Sequence, residues 1–120
     1  MNQNIDAINL LQSALRGETL KQKAIANNIA NLETPGYRRY DVKFEEALAK
    51  ALESSSPVNL KEIEPVLFKP KNTPVNTNGN DVSIEREVGE MIKNNLRHTA
   101  LVRLLRKKYN QMQLAIRTKE

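Results

Sequence analysis

The sequence predicts an all-α, elongated fold in which long N- and C-terminal helices pair as an antiparallel coiled coil around a loop-rich middle. Three observations carry this. Apolar residues recur at three- and four-residue steps towards both ends of the chain. Four of the five prolines fall between residues 57 and 80, where they exclude long regular elements. The 120 residues are 39% hydrophobic and 4% aromatic, with no Trp and no Cys, which makes a deep self-sufficient core hard to build at this length.

The N-terminal helix is expected within residues 1 to 33. Ile8, Leu11, Leu15, Ile25, Ile29 and Leu32 share one face, interrupted by Glu18 and Gln22. Gly17 lies beside the interruption. A glycine inside a helix costs roughly 1 kcal/mol relative to alanine, so the middle is a weak point unless a neighbour packs there. Residues 34 to 56 are read as a turn and a short helix. Pro35 cannot continue the ladder, and Gly36 suits the positive φ at the third position of a type II turn. Asp41 is the expected cap of the short helix, which carries Phe44, Leu48 and Leu52 on one side and closes at Ser54 to Pro57.

Residues 57 to 80 are expected to form a flexible linker, with Val66, Leu67 and Phe68 as an extended stretch between prolines. Residues 81 to 120 form the C-terminal helix, capped by Ser83, with Glu85, Glu87 and Glu90 early and basic residues late, as the macrodipole prefers. Its seam is expected at Val88, Met91, Asn95, His98, Val102, Leu105, Tyr109, Met112 and Ile116, alternating steps of four and three. The helix would be about 55 Å long at 1.5 Å per residue. Polar positions in the two seams, Glu18 and Gln22 against Asn95 and His98, would set the register.

Function classes are narrowed by what is missing. Without cysteine there is no disulfide framework and no thiolate site. A single histidine and no close acid pair flanked by apolar residues give no catalytic constellation, since the adjoining Glu45 and Glu46 point in different directions on a helix, so no enzyme activity, metal or cofactor is expected. The N-terminus has no basic segment leading into an apolar run, so neither a cleaved signal peptide nor a membrane anchor is expected. The net charge of +5 belongs to one segment, since Met91 to Lys119 holds eight bases and no acid. That segment supports an alternative reading as a basic coiled-coil nucleic-acid-binding protein. Its bases spread around the helix instead of forming a base-reading face, which favours a solvated helical surface.

The densest local signal is ANNIANLETPGYRRYDVKFEEAL, from Ala26 to Leu48. Its small alanines admit a close neighbour, and its asparagines offer amide donors and acceptors. This stretch closely resembles the N-terminal signature of bacterial flagellar rod and hook proteins, approximately A-N-N-[I/L]-A-N-x-x-T-P-G-[Y/F]. Together with DVSIEREVGEMIKNNLRHTALVRLLRKKYNQMQLAI, it looks like a proximal rod subunit of the flagellar basal body. The resemblance implies a structural subunit that self-assembles into the tubular axial structure transmitting torque. It implies a homo-oligomer within the rod, with other rod subunits, the rod-base adaptor, the MS-ring protein and the flagellar type III export apparatus as partners, and no nucleic acid. It also implies export from the cytoplasm into the periplasm-spanning rod without a cleaved signal. Asn27, Asn28, Asn31, Thr34, Pro35, Gly36 and Tyr37 would carry the assembly motif, and the apolar seams would build the inner helical layer. Such a subunit is expected to order fully only against its neighbours, which offset the entropy of fixing two long helices.

Overall fold

The computed structural model describes residues 3–53 and 63–118. It is elongated, 66 × 26 × 16 Å. Five elements follow in order: α1 (Gln3–Ala30), β1 (Asp41–Lys43), α2 (Glu45–Glu53), β2 (Val66–Phe68) and α3 (Ile84–Thr118). The two long helices pack antiparallel, as contacts from Gln12 to Tyr109 and from Glu18 to Arg97 require. The expected Ser54 to Pro57 stop and the linker's first residues, 57 to 62, lie outside the described residues.

The helix ends obey local chemistry. After α1 the Tyr37 N–H donates to the Thr34 carbonyl at 3.2 Å, and Gly36 has φ +74°, which makes the turn the sequence calls for. At the start of α3 the Ser83 hydroxyl accepts from the Arg86 N–H at 3.4 Å and its carbonyl from the Glu87 N–H at 3.0 Å.

Three expectations are corrected. Asp41 does not cap α2. It belongs to β1, which pairs antiparallel with β2 in the register Asp41–Phe68, Val42–Leu67 and Lys43–Val66. The helix begins after Phe44, whose carbonyl accepts from the Leu48 N–H at 2.9 Å. The second correction concerns the linker, whose described part is partly structured by this pairing and by the contacts of residues 76 to 81 given below.

The third concerns the face of α3 turned to α1. It starts one residue earlier than expected, with Glu87 and Asn94 buried, and reaches the expected positions only from His98, Val102 and Leu105 onwards. Val88, Met91, Tyr109 and Ile116 are exposed, as is Asn95. A helix of 3.6 residues per turn drifts from a strict heptad unless it supercoils, so a 3.5-residue seam cannot stay on one side of a straight helix. On α1, Ile8 and Ile25 are buried and Leu11, Leu15, Ile29 and Leu32 half-buried.

The polar interruption in α1 has a partner on α3. Glu18, only 2% exposed, accepts from Asn94 Nδ2 at 2.8 Å and from Arg97 Nε at 2.7 Å, and its backbone carbonyl also accepts from Asn94 at 2.7 Å. The residue opposite Glu18 is thus Asn94, not Asn95. Its neighbour Gly17 is fixed by packing, because a Cβ there would lie 2.6 Å from the Phe44 ring. Phe44 joins Ala24 and Val42 in the small buried core, with Leu20, Tyr40 and Leu48 against it.

The two helical glycines therefore respond oppositely to alanine. Gly17→Ala forces a methyl into the Phe44 ring and is expected to lower stability by about 2 kcal/mol. Gly89, where a Cβ would meet nothing within 4 Å, should gain up to ~1 kcal/mol. Thermal or urea unfolding of the two variants checks the opposite signs.

Candidate functional site: an amide clasp around the Thr34-Pro35-Gly36 turn

The asparagines of the motif divide by burial. Asn28 is fully buried, Asn31 half-buried and Asn27 exposed. Asn28 stands on the last full turn of α1 and treats the backbone of Tyr40 as a strand would. Its Nδ2 donates to the Tyr40 carbonyl at 2.9 Å and its Oδ1 accepts from the Tyr40 N–H at 2.8 Å. The same Oδ1 accepts from the Tyr37 hydroxyl at 3.0 Å, and that hydroxyl accepts from Asn27 Nδ2 at 2.8 Å. Asn31 donates back to the Asn27 carbonyl at 2.8 Å and accepts from the Thr34 hydroxyl at 3.1 Å. One side chain thereby fixes the return of the chain after the turn.

The turn's other partner is distant in sequence. Asn80, also fully buried, donates through Nδ2 to the carbonyls of Asn31 at 2.9 Å and Thr34 at 2.8 Å, and its Oδ1 accepts from the Val82 N–H at 2.7 Å. These two carbonyls lie just beyond α1, where each accepts one turn N–H, from Thr34 at 3.1 Å and from Tyr37 at 3.2 Å, and Asn80 supplies the second donor. Backbone bonds reinforce the contact, with Gly36 N–H to the Asn78 carbonyl at 2.9 Å and Asp81 N–H to the Tyr37 carbonyl at 3.3 Å. Gly79, at φ +81°, approaches so closely that a Cβ would stand 3.4 Å from Gly36 Cα. Residues 76 to 81 thus close over the turn, while Thr34, Pro35 and Gly36 keep an exposed face.

Charges lock the base of α3 to the same place. Asp81 accepts from the Arg39 N–H at 2.5 Å and stands 3.3 Å from Arg38 Nε. Arg39 Nε lies 3.6 Å from Glu87 Oε1, and its Nη2 is 3.4 Å from Asp41. Asp81 and Glu87 are almost fully buried. Burial raises the Glu87 carboxyl above its ordinary 4.5, against the lowering effect of Asn28 and Arg39. Burial also raises the Tyr37 phenol, opposed by the Asn27 hydrogen bond. Lys69, following β2, places its Nζ 4.7 Å from the Tyr40 ring centroid and 5.7 Å from that of Tyr37.

All seven motif residues meet at this end of the bundle. Asn80, Asp81, Arg39 and Glu87 complete the site, although the residue pattern assigned Glu87 only a helix-start role and the other three no site role. Local pattern could not have found Asn80, whose carbonyl partners lie 46 and 49 residues away. Among the described residues no group of three or more His, Asp or Glu side chains could hold a metal, and no helix is long and apolar enough to cross a membrane. The arrangement orients two helices and presents a turn.

A long helical hairpin clasped at one end is the architecture of a structural subunit. The flagella basal body rod protein family model matches residues 8–38, spanning most of α1 and the turn. Flagellar basal body rod protein FlgB of Bacillus subtilis is 32% identical over 117 residues, covering 88% of this chain and 89% of the relative. FlgB of Buchnera aphidicola is 30% identical over 123 residues, covering 91% and 92%. FlgB of Aquifex aeolicus is 27% identical over 114 residues, covering 92% of each. The chain belongs to the FlgB type of the flagellar basal body rod proteins and is a structural subunit of that rod. These matches give no support to the nucleic-acid-binding alternative.

Two outcomes follow. Replacing Asn80 by Ala removes the second donor of the Asn31 and Thr34 carbonyls and leaves the Val82 N–H without its acceptor, which should cost about 2 kcal/mol in urea unfolding. Glu87 binds its proton more readily folded than unfolded, so its contribution is favourable at acidic pH and is lost as pH rises from about 4.5 through the raised folded value. Relative to Glu87→Gln, the parent protein should therefore gain stability as pH falls from 7 towards 4.5. Paired melting curves across that range test the sign.

Proposed function

We propose that the chain is a proximal rod subunit that self-assembles through its two terminal helices into a tubular axial structure transmitting torque. The amide clasp is the observation that carries this. Buried Asn28 and Asn80 hold the α1–α3 hairpin to one geometry, while the Thr34-Pro35-Gly36 turn stays accessible to a neighbour. Asn27, Asn28, Asn31, Thr34, Pro35, Gly36 and Tyr37 act as the assembly motif, the buried amides by shaping the turn and the exposed residues by contact.

Exposed apolar residues supply the association energy. Val88, Met91, Tyr109 and Ile116, at 37%, 37%, 44% and 60% exposure, join the apolar seams when neighbouring helices cover them, at about 25 cal/mol per Å² removed from water. The remaining seam positions, Ile8, Leu11, Leu15, Ile25, Ile29, Leu32, Val102, Leu105 and Met112, hold the hairpin and its inner layer together. In this reading the subunit has no enzymatic role. It contacts copies of itself, other rod subunits, the rod-base adaptor and the MS-ring protein, after passage through the flagellar type III export apparatus without a cleaved signal.

Purified basal bodies analysed by mass spectrometry test the proposal. The protein should co-purify with them, and Asn28→Ala combined with Asn80→Ala should reduce its incorporation severalfold at equal cellular abundance, with loss of motility. Basal bodies that lack the parent protein would contradict it.

A further inference from the structure

Away from the clasp, towards the start of α1, a groove of about 320 Å³ runs between the two long helices. Its floor is apolar, made by Leu10 and Leu11 of α1, Leu104 of α3 and, at one end, Leu52 of α2. Its rim on α3 is Lys107 and Lys108. The lining positions step by three and four residues along both helices, from Ala7 to Leu11 and from Leu104 to Gln111. Two antiparallel helices that line a groove in this rhythm form the seat of a third helix, as in a bundle. Leu52 and Leu104 are 66% and 49% exposed, so the seat is incompletely covered among the described residues.

The two charged side chains that line this seat, Lys107 and Lys108, are both basic. Between Met91 and Lys119 the sequence holds eight bases and no acid. Among the described residues only Lys93 and Arg97 of that set stand within 4 Å of a carboxylate, which leaves Arg103, Arg106, Lys107, Lys108 and Arg117 without one. Among the described residues no spare helix suits the seat. Its one short acidic helix, α2, is already fixed to α1 through Phe44, Leu48 and the Lys21–Glu45 ion pair, and the start of α3 carries Arg86 and Lys93 beside its glutamates.

We infer that this groove is the docking site for an acidic amphipathic helix of a different rod component, its leucine-type face on Leu10, Leu11 and Leu104 and its carboxylates on Lys107 and Lys108. The inference rests on the reading of the chain as a rod subunit, which supplies neighbours of other sequence. A lipid surface fits less well, because the exposed apolar residues Leu104, Tyr109 and Ile116 are scattered among the bases instead of gathered on a face opposite them.

The test uses the full chain and two fluorescent 18-residue peptides, each with leucines at helical three and four spacing, one flanked by glutamates and the other by lysines. The glutamate peptide should bind about tenfold more tightly at low salt, and the preference should fade as salt rises. Lys107→Glu with Lys108→Glu should reverse the preference. Leu104→Ser should weaken binding of both peptides while leaving the thermal melt in place. If the charge-reversed protein does not fold, Lys107→Gln with Lys108→Gln should abolish the preference. Equal binding of both peptides, a preference that survives these changes, or stronger capture by anionic vesicles or duplex DNA would overturn the inference. Failure of peptide binding with the protein present in basal bodies removes this inference alone. Absence from basal bodies removes the rod assignment and leaves the peptide result standing.

Discussion

The carboxamide of Asn80 is the interaction on which the rest of the molecule depends. An α-helix ends with carbonyls that lack donors, and a chain that then turns sharply adds more. Here one buried side chain from far along the sequence gives two carbonyls of that turn a second donor beside their backbone bonds and, with its own oxygen, starts the segment leading into the last helix. The beginning of α3 is thereby placed against the end of α1. Their antiparallel pairing follows from that placement as much as from apolar matching.

With that end closed, the remaining contacts act as spacers along the hairpin. Asn28 pins the returning strand, Arg38 and Arg39 neutralise the buried Asp81 and Glu87, and Glu18 takes Asn94 and Arg97 further along. Buried polar groups of this kind add little net stability compared with apolar packing. They penalise sliding, because a helix shifted by one turn would leave Glu18 and Asn94 without partners in a dry environment. Apolar side chains alone would tolerate such a slip. A subunit that repeats in a polymer needs one geometry, and the polar contacts supply it while leaving apolar surface for neighbours.

How much of this was legible depended on the distance over which each interaction acts. The two long helices, the Gly36 turn and the Ser83 cap rest on neighbours within a few residues, and the structure has them close to where the pattern put them. The β1–β2 pair was missed because Asp41 alone reads as a cap, and only Phe68, 27 residues further on, makes it a strand. Residues 76 to 81 read as linker because asparagine and glycine favour loops, and their burial comes from a turn more than 40 residues upstream. The Asn94 and Asn95 pair shows the limit most finely. Both are helical, and the face that is buried depends on how far a straight helix drifts from a seven-residue repeat. The site's family motif was visible in the sequence, whereas the residues that hold it in shape were not.

Residue-resolved amide hydrogen exchange on the isolated full chain tests the central claim most directly. The claim predicts strong protection of the Gly36, Asp81 and Val82 amides, which donate to the Asn78 carbonyl, the Tyr37 carbonyl and the Asn80 side chain. It predicts protection declining along α3 towards residues 112 to 118, where the helix is largely exposed. Clasp amides exchanging as fast as, or faster than, those at the far end of α3 would contradict the account.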